Sequence, residues 1–222
     1  MPPSPDFDSE SAADQPHRAG VVRRPLVASD LERMRLPAEC WWFRIQGAPD
    51  SARTLVETYL RRFPELLQKG TGLFLGGTQG TGKTGLAAVA AKEARIQGYS
   101  VFFTTVWDLR DAVRNRSTFD DRQLVHERAK EVDLLVLDNL RTAEDAQDPF
   151  FGRRSVEELI TSRAGNRKAT IVTSRTVLKD LDKPGAPWNG ILQAGKLVYV
   201  SVEGPDLRAR LHADISASLR KP

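Results

Sequence analysis

Residues 77–84 read Gly77-Thr78-Gln79-Gly80-Thr81-Gly82-Lys83-Thr84 and satisfy the pattern G-x-x-x-x-G-K-[ST] at every fixed position. No other stretch limits the fold so tightly, because the pattern encodes a physical task. A loop that wraps a phosphate chain turns its backbone N–H groups inward, and that needs glycines where a side chain would block the approach. The helix expected from about Lys83 points the positive end of its dipole at the same anion. Lys83 neutralises β- and γ-phosphate charge, and Thr84 offers a hydroxyl ligand to Mg²⁺. From average residue usage, a chance match in a chain this long is roughly one in a hundred. The flanking sequence fits as well: apolar Leu73-Phe74-Leu75 comes before, and an Ala-rich helical stretch, Leu86–Ile96, comes after. Gly98 follows where a C-terminal cap belongs.

The rest of the chain repeats that alternation. Short apolar runs at 73–75, 101–103, 132–137, 170–173 and 197–200 read as five strands. Between them lie helical patterns at 54–69, 106–131 (interrupted near 117–120) and about 155–164. Within 54–69, Leu55, Tyr59, Leu60 and Phe63 are expected on one side, with a break at Pro64. A last helix is expected after Gly204-Pro205, with Leu207, Leu211, Ile215 and Leu219 as its apolar stripe. Strands alternating with helices predict an α/β three-layer sandwich around a five-stranded parallel sheet, with ligand at the carboxyl ends of the strands. Residues 1–29, Pro-rich and polar, read as a disordered tail, and 54–222 as the nucleotide-binding domain. Residues 30–53 carry Trp41, Trp42 and Phe43, which serve either to pack on that domain or to dock a partner.

A phosphate loop needs a carboxylate at the end of a neighbouring buried strand to hold Mg²⁺. Asp138, closing the run 132–137, is the candidate. Hydrolysis further needs a group that orients or deprotonates water. The next residue is Asn139, whose amide orients a water but takes no proton. Glu144, Asp145 and Asp148 are the nearest carboxylates downstream. Binding of a nucleoside triphosphate is therefore better supported than fast turnover.

Composition removes other classes. A single cysteine, Cys40, excludes an internal disulfide, and three scattered histidines lack metal-site spacing. No apolar stretch approaches membrane-span length and no secretory signal is evident, so a cytoplasmic location is expected. The net charge of +4 is uneven, with +6 in residues 153–222 and −2 in the remainder. A polyanionic partner and an ordinary solvated surface both fit that balance.

Several segments together resemble the small AAA+ ATPases of the DnaC/DnaI helicase-loader and IstB transposition-helper group. They are G-T-G-L-F-L-G-G-T-Q-G-T-G-K-T (70–84), T-T-V-W-D-L (104–109), V-D-L-L-V-L-D-N-L (132–140), E-E-L-I-T-S-R (157–163), T-I-V-T-S-R (170–175) and E-G-P-D-L-R (203–208). The resemblance spans about residues 55–208. It implies an AAA+ fold, ATP and Mg²⁺ as ligands, and a replicative helicase or transposition protein as partner. It also implies contact with single-stranded DNA, for which Arg110, Arg114 and Arg116 are the candidates, with Trp107 and Phe119 as stacking faces. Arginines at helical spacing also make a plain solvated face. The resemblance places Asn139 and Arg175 near the γ-phosphate and matches Arg208 to the group's late arginine.

Three departures stand out. Asn139 replaces a second acidic residue. Arg175 replaces the Asn that follows Thr-Ser. Residues 191–196, Ile-Leu-Gln-Ala-Gly-Lys, carry no arginine where the group has a finger for the neighbouring subunit's nucleotide, which argues against a nucleotide-dependent oligomer. A slow ATPase is expected. The rival readings are a non-hydrolysing nucleotide-dependent adaptor and a small-molecule P-loop kinase with Arg141, Arg153 and Arg154 as phosphate clamps.

Overall fold

The computed structural model describes residues 25–114, 121–140, 149–181, 183 and 188–207. Five strands, β1 (Gly72–Gly76), β2 (Val101–Thr105), β3 (Leu134–Leu140), β4 (Ala169–Ser174) and β5 (Leu197–Ser201), form one parallel sheet in the order β2-β3-β4-β1-β5. Period-two alternation sends their side chains to two cores. Leu73, Leu75, Leu134, Val136 and Ile171 join one, while Phe74, Leu135, Leu137 and Val172 join the other. Both faces of β1 to β4 are covered, which is why their central residues read as short apolar runs, while the edge strand β5 leaves Val198 50% exposed. The architecture is the α/β P-loop sandwich expected from the sequence.

The strand order has a consequence for the site. β4, fourth along the chain, lies between β1 and β3, with Leu75 opposite Thr173 and Leu137 opposite Val172. The tip of β4 therefore lies between the end of β1, from which the phosphate loop leaves, and Asp138 on β3.

Helices α1 (Ala28–Arg33), α2 (Asp50–Arg61), α3 (Phe63–Gln68) and α4 (Lys83–Ile96) precede β2. Helices α5 (Val106–Arg114), α6 (Asp121–Glu131), α7 (Pro149–Gly165), α8 (Leu178–Leu181) and α9 (Asn189–Ala194) follow it. Three details differ from the sequence expectation. The helix expected at 54–69 starts at Asp50 and divides into α2 and α3, with Pro64 in the first turn of the second. Its buried stripe is Ala52, Val56, Tyr59 and Leu60, while Leu55 faces solvent at 50% exposure. The third strand starts at Leu134 rather than Val132 and runs past Asp138 to Leu140. Asp133 is drawn out of the strand because its carboxylate accepts from Ser100 N at 2.8 Å and Ser100 Oγ at 2.7 Å. Of the expected C-terminal helix, the residues beyond Leu207 lie outside the described residues.

Residues 30–53 pack against the core. Met34, Leu36 and Cys40 are buried in the cluster beside α4. Phe103 N donates to Met34 O at 2.7 Å, which covers part of the open edge of β2. Two polar ties fasten the segment to α4. Asp30, 1% exposed, meets Arg95 at 3.2 Å. Lys92 Nζ donates to the carbonyls of Cys40, Trp41 and Phe43 at 3.2, 3.0 and 2.8 Å. Burial lowers the Lys92 pKa and pushes the Cys40 thiol up to about 11. The three consecutive aromatics take three roles. Trp41 donates its indole N–H to Leu36 O at 2.9 Å, Trp42 is 87% exposed, and Phe43 leans on the start of α4.

Candidate nucleotide-binding site

The loop after β1 is built for backbone N–H presentation. Gly80 and Gly82 have φ of +81° and +90°, left-handed values that glycine adopts without the cost a Cβ imposes. Gly82 is also the N-cap of α4, so the helix opens directly from the loop. Thr81 is buried, with Oγ1 donating to Thr78 O at 3.0 Å, which closes the loop on itself. Thr78 and Gln79 are exposed at its crest. Lys83, 9% exposed, lies under the loop and donates from Nζ to Thr78 O, with Thr81 Oγ1 at 3.5 Å.

The loop is packed from two sides. A Cβ on Gly85 would lie 2.5 Å from Phe43 Cζ, so the Phe43 ring fills the space that this glycine leaves. Glycine inside a helix costs about 1 kcal/mol relative to alanine, and close approach of another group is a common reason for it. From the other side, Leu207 N donates to Gly80 O at 2.9 Å and the Asp206 carboxylate lies against Gly80. Neither contact was foreseen from the sequence. The single usable signal was a glycine placed one turn into an otherwise Ala-rich helix.

The second half of the site comes from β3 and β4. Thr84 Oγ1 donates to Asp138 Oδ1 at 2.9 Å, joining residues 54 positions apart. Thr173 Oγ1 on β4 donates to the same oxygen at 2.6 Å. Asn139 follows with φ +63° and an exposed side chain, and its N–H donates to Thr173 Oγ1 at 2.9 Å. Asp138 therefore does not close the strand, because Asn139 and Leu140 continue it through an irregular step.

The remaining sequence candidates are more scattered. Arg175 is exposed immediately beyond Ser174, which is paired with Gly76 at the foot of the loop. Arg110 and Arg114 belong to α5, where Trp107 is 74% exposed. Arg116, Phe119, Arg141, Glu144, Asp145, Asp148 and Arg208 lie outside the described residues. Lys196, the cation nearest the missing finger position, donates to Lys69 O at 3.1 Å and Ala164 O at 3.5 Å, so it is engaged within its own fold.

The donors suit a magnesium–nucleotide. A hydroxyl and a carboxylate 2.9 Å apart are hard oxygen ligands of the kind Mg²⁺ takes together with phosphate oxygens. Left-handed glycines, a 14-residue helix opening from them and a buried lysine provide the matching anion cradle. Among the described residues, no helix is long and apolar enough to cross a membrane.

The chain is similar to known proteins in sequence and in fold. DnaC of Escherichia coli K12, a replicative helicase loader, is 27% identical over 182 residues, covering 78% of this chain and 69% of that protein. Among solved structures, a DnaC helicase loader superposes with a TM-score of 0.58 at 19% identity, covering 75% of this chain and all of that one. DnaI gives 0.59 at 20% identity, over 77% and 93%. The AMPPCP-bound DnaA of Aquifex aeolicus gives 0.58 at 19% identity, over 82% of this chain but only 56% of its own. At such identities the structural likeness shows the fold alone. The family model described as IstB-like ATP binding protein matches residues 53–195, from within α2 to just past the end of α9, and so contains the loop, Asp138 and Thr173. The chain belongs to that IstB-like family of AAA+ ATP-binding proteins.

Proposed function

We propose that this protein is a helicase-loader-like ATP switch acting in DNA replication or transposition, holding single-stranded DNA and a replicative helicase or transposition protein according to its nucleotide state. The observation that carries the reading is the 2.9 Å contact between Thr84 and Asp138 beside a complete phosphate loop. The backbone of Gly77–Gly82 cradles the phosphates and Lys83 neutralises their β/γ charge. Thr84 and Asp138 hold Mg²⁺, which supplies charge neutralisation and a fixed phosphate geometry when bound. Asn139 orients a water without accepting its proton, and Arg175 adds positive charge at the γ end. Turnover is therefore slow. Helix α5, which carries Arg110 and Arg114 in its sequence and Trp107 at 74% exposure, is the element proposed to meet single-stranded DNA. Support for the helicase partner comes from the likeness to DnaC.

Asn139 also favours a second reading, a nucleotide-dependent adaptor that does not hydrolyse at all. The kinase reading is weaker, since Arg154 is exposed and paired with Glu158 on its own helix at 2.8 Å. One assay separates the three: phosphate release from ATP with and without single-stranded DNA. DNA-stimulated release supports the switch, and nucleotide binding without release supports the adaptor. Transfer of phosphate to a metabolite refutes both. Identification of what co-purifies with the tagged protein in ATP then tests the partner.

A further inference from the structure

The ladder between β3 and β4 breaks at the functional end. Leu137 pairs with Val172 and Leu140 with Ser174, so one extra residue is accommodated on β3. Asn139, at φ +63°, lies within that bulge. A bulge leaves backbone groups without ladder partners, and here hydroxyls replace them. Ser174 Oγ donates to Leu140 O at 2.7 Å. Thr173 Oγ1 accepts from Asn139 N at 2.9 Å and gives its own proton to Asp138 Oδ1 at 2.6 Å. Thr173 is 3% exposed, so water does not stand in for either partner. Thr84 donates to the same Oδ1. Among the described residues no donor reaches Oδ2, which leaves that oxygen to act on the metal's ligand sphere.

We infer that Thr173 is a positioning residue for magnesium. Its hydroxyl is engaged by Asp138 and by the Asn139 N–H. Its hydroxyl holds the Asp138 carboxylate toward Thr84 and locks the left-handed turn at Asn139, and through Asp138 it sets how tightly Mg²⁺ is retained with the nucleotide. This inference rests on the ATP–magnesium reading above. Valine has nearly the shape of threonine and makes neither bond, so Thr173→Val isolates the hydroxyl.

The test is a Mg²⁺ titration of the full chain with a ribose-labelled fluorescent ATP as probe, with a parallel binding curve in EDTA. For Thr173→Val, the Mg²⁺ concentration at half effect rises about tenfold, the scale of one charge-assisted hydrogen bond, while probe binding in EDTA is retained. Thr173→Ser recovers most of the loss. In the Asp138→Asn background, Thr173→Val adds little, because the hydroxyl acts through that carboxylate. If Thr173→Val does not fold, Thr173→Ala carries the same expectation. A valine variant that melts cooperatively and keeps the wild-type Mg²⁺ midpoint overturns the inference, as does full additivity with Asp138→Asn. A wild-type chain whose probe binding ignores Mg²⁺ overturns the ATP–magnesium reading and this inference together.

Discussion

The two ends of the β3–β4 strand pair solve opposite problems with charged side chains. At the carboxyl end, Asp138 is half-buried and held by the hydroxyls of Thr84 and Thr173. At the amino end, Arg163 from α7 is 1% exposed, and among the described residues its close partners are a hydroxyl and backbone carbonyls. Its guanidinium donates to Thr170 Oγ1 at 3.0 Å and to the carbonyls of Ala129 and Ala169 at 2.6 Å and Val132 at 3.0 Å. It thus gathers the carbonyls left over where α6 ends and β4 begins. Burial pushes the Arg163 pKa down to about 9 against the pull of Asp133 and Glu131, so at neutral pH the charge is kept at some cost. One end spends its polar groups on satisfying backbone, while the other keeps a carboxylate oxygen available for chemistry. The first should govern whether the chain folds, and the second what the folded chain binds.

The sharpest way to break that contrast is Arg163→Ala. It orphans several buried carbonyls at once, and the expected loss is about 3–5 kcal/mol in urea unfolding. Arg163→Lys recovers only part of this, since an ammonium cannot reach both α6 and β4. In the fraction that stays folded, ATP affinity should be unchanged. Unaltered stability in Arg163→Ala would remove the distinction between the two ends.

Lys83→Ala is the reciprocal experiment. No other cation in the loop replaces Lys83, so ATP affinity should fall by two orders of magnitude or more, about 3 kcal/mol. Unfolding without nucleotide should move by less than about 1 kcal/mol, because the ammonium's main-chain partner, Thr78 O, belongs to an exposed residue. Equilibrium binding and urea titration on the same preparation give both numbers. Wild-type affinity in this variant would reject the phosphate-loop assignment itself.

The same contrast explains what was legible in the sequence. The loop is local: its glycines, lysine and threonine occupy eight consecutive positions, and the task forces their spacing. Strands β1 to β3 were legible because both faces are buried and each run is apolar, β4 because Ile171 and Val172 stand between threonines, and the edge strand β5 because its run is apolar although Val198 is 50% exposed. Asp138 could be read as the end of such a run. Thr173 could not, since its role depends on β4 inserting between β1 and β3, and order in a sheet is not written in any one segment. Leu55 was misplaced for a related reason. The 54–69 pattern fits two adjacent faces, and the choice between them is made by Ala52 and Val56 meeting α4, a tertiary fact. Arg163 lay inside a segment that carried the family resemblance, but nothing local distinguishes a buried arginine from a solvated one. Phe43 was visible as an aromatic, and its seat on Gly85 was not.

Asn139 is the residue on which the two ends of the comparison meet, because it is both a backbone device and a chemical one. At φ +63° an asparagine is tolerated, whereas a residue with an ordinary Cβ pays about 1 kcal/mol. Asn139→Ala should therefore cost about that much stability, and Asn139→Gly should be neutral or slightly stabilising. Asn139→Glu carries the same backbone cost but adds a carboxylate able to take a proton from water. If the pocket is otherwise competent, phosphate release should rise severalfold while urea unfolding shifts down by about 1 kcal/mol. Measuring release and stability together on the three variants separates the roles. A glutamate variant with lower stability and no gain in release would mean that the left-handed turn aims the side chain away from the γ-phosphate. The slow turnover proposed here would then belong to the bulge that Thr173 maintains rather than to the missing carboxylate.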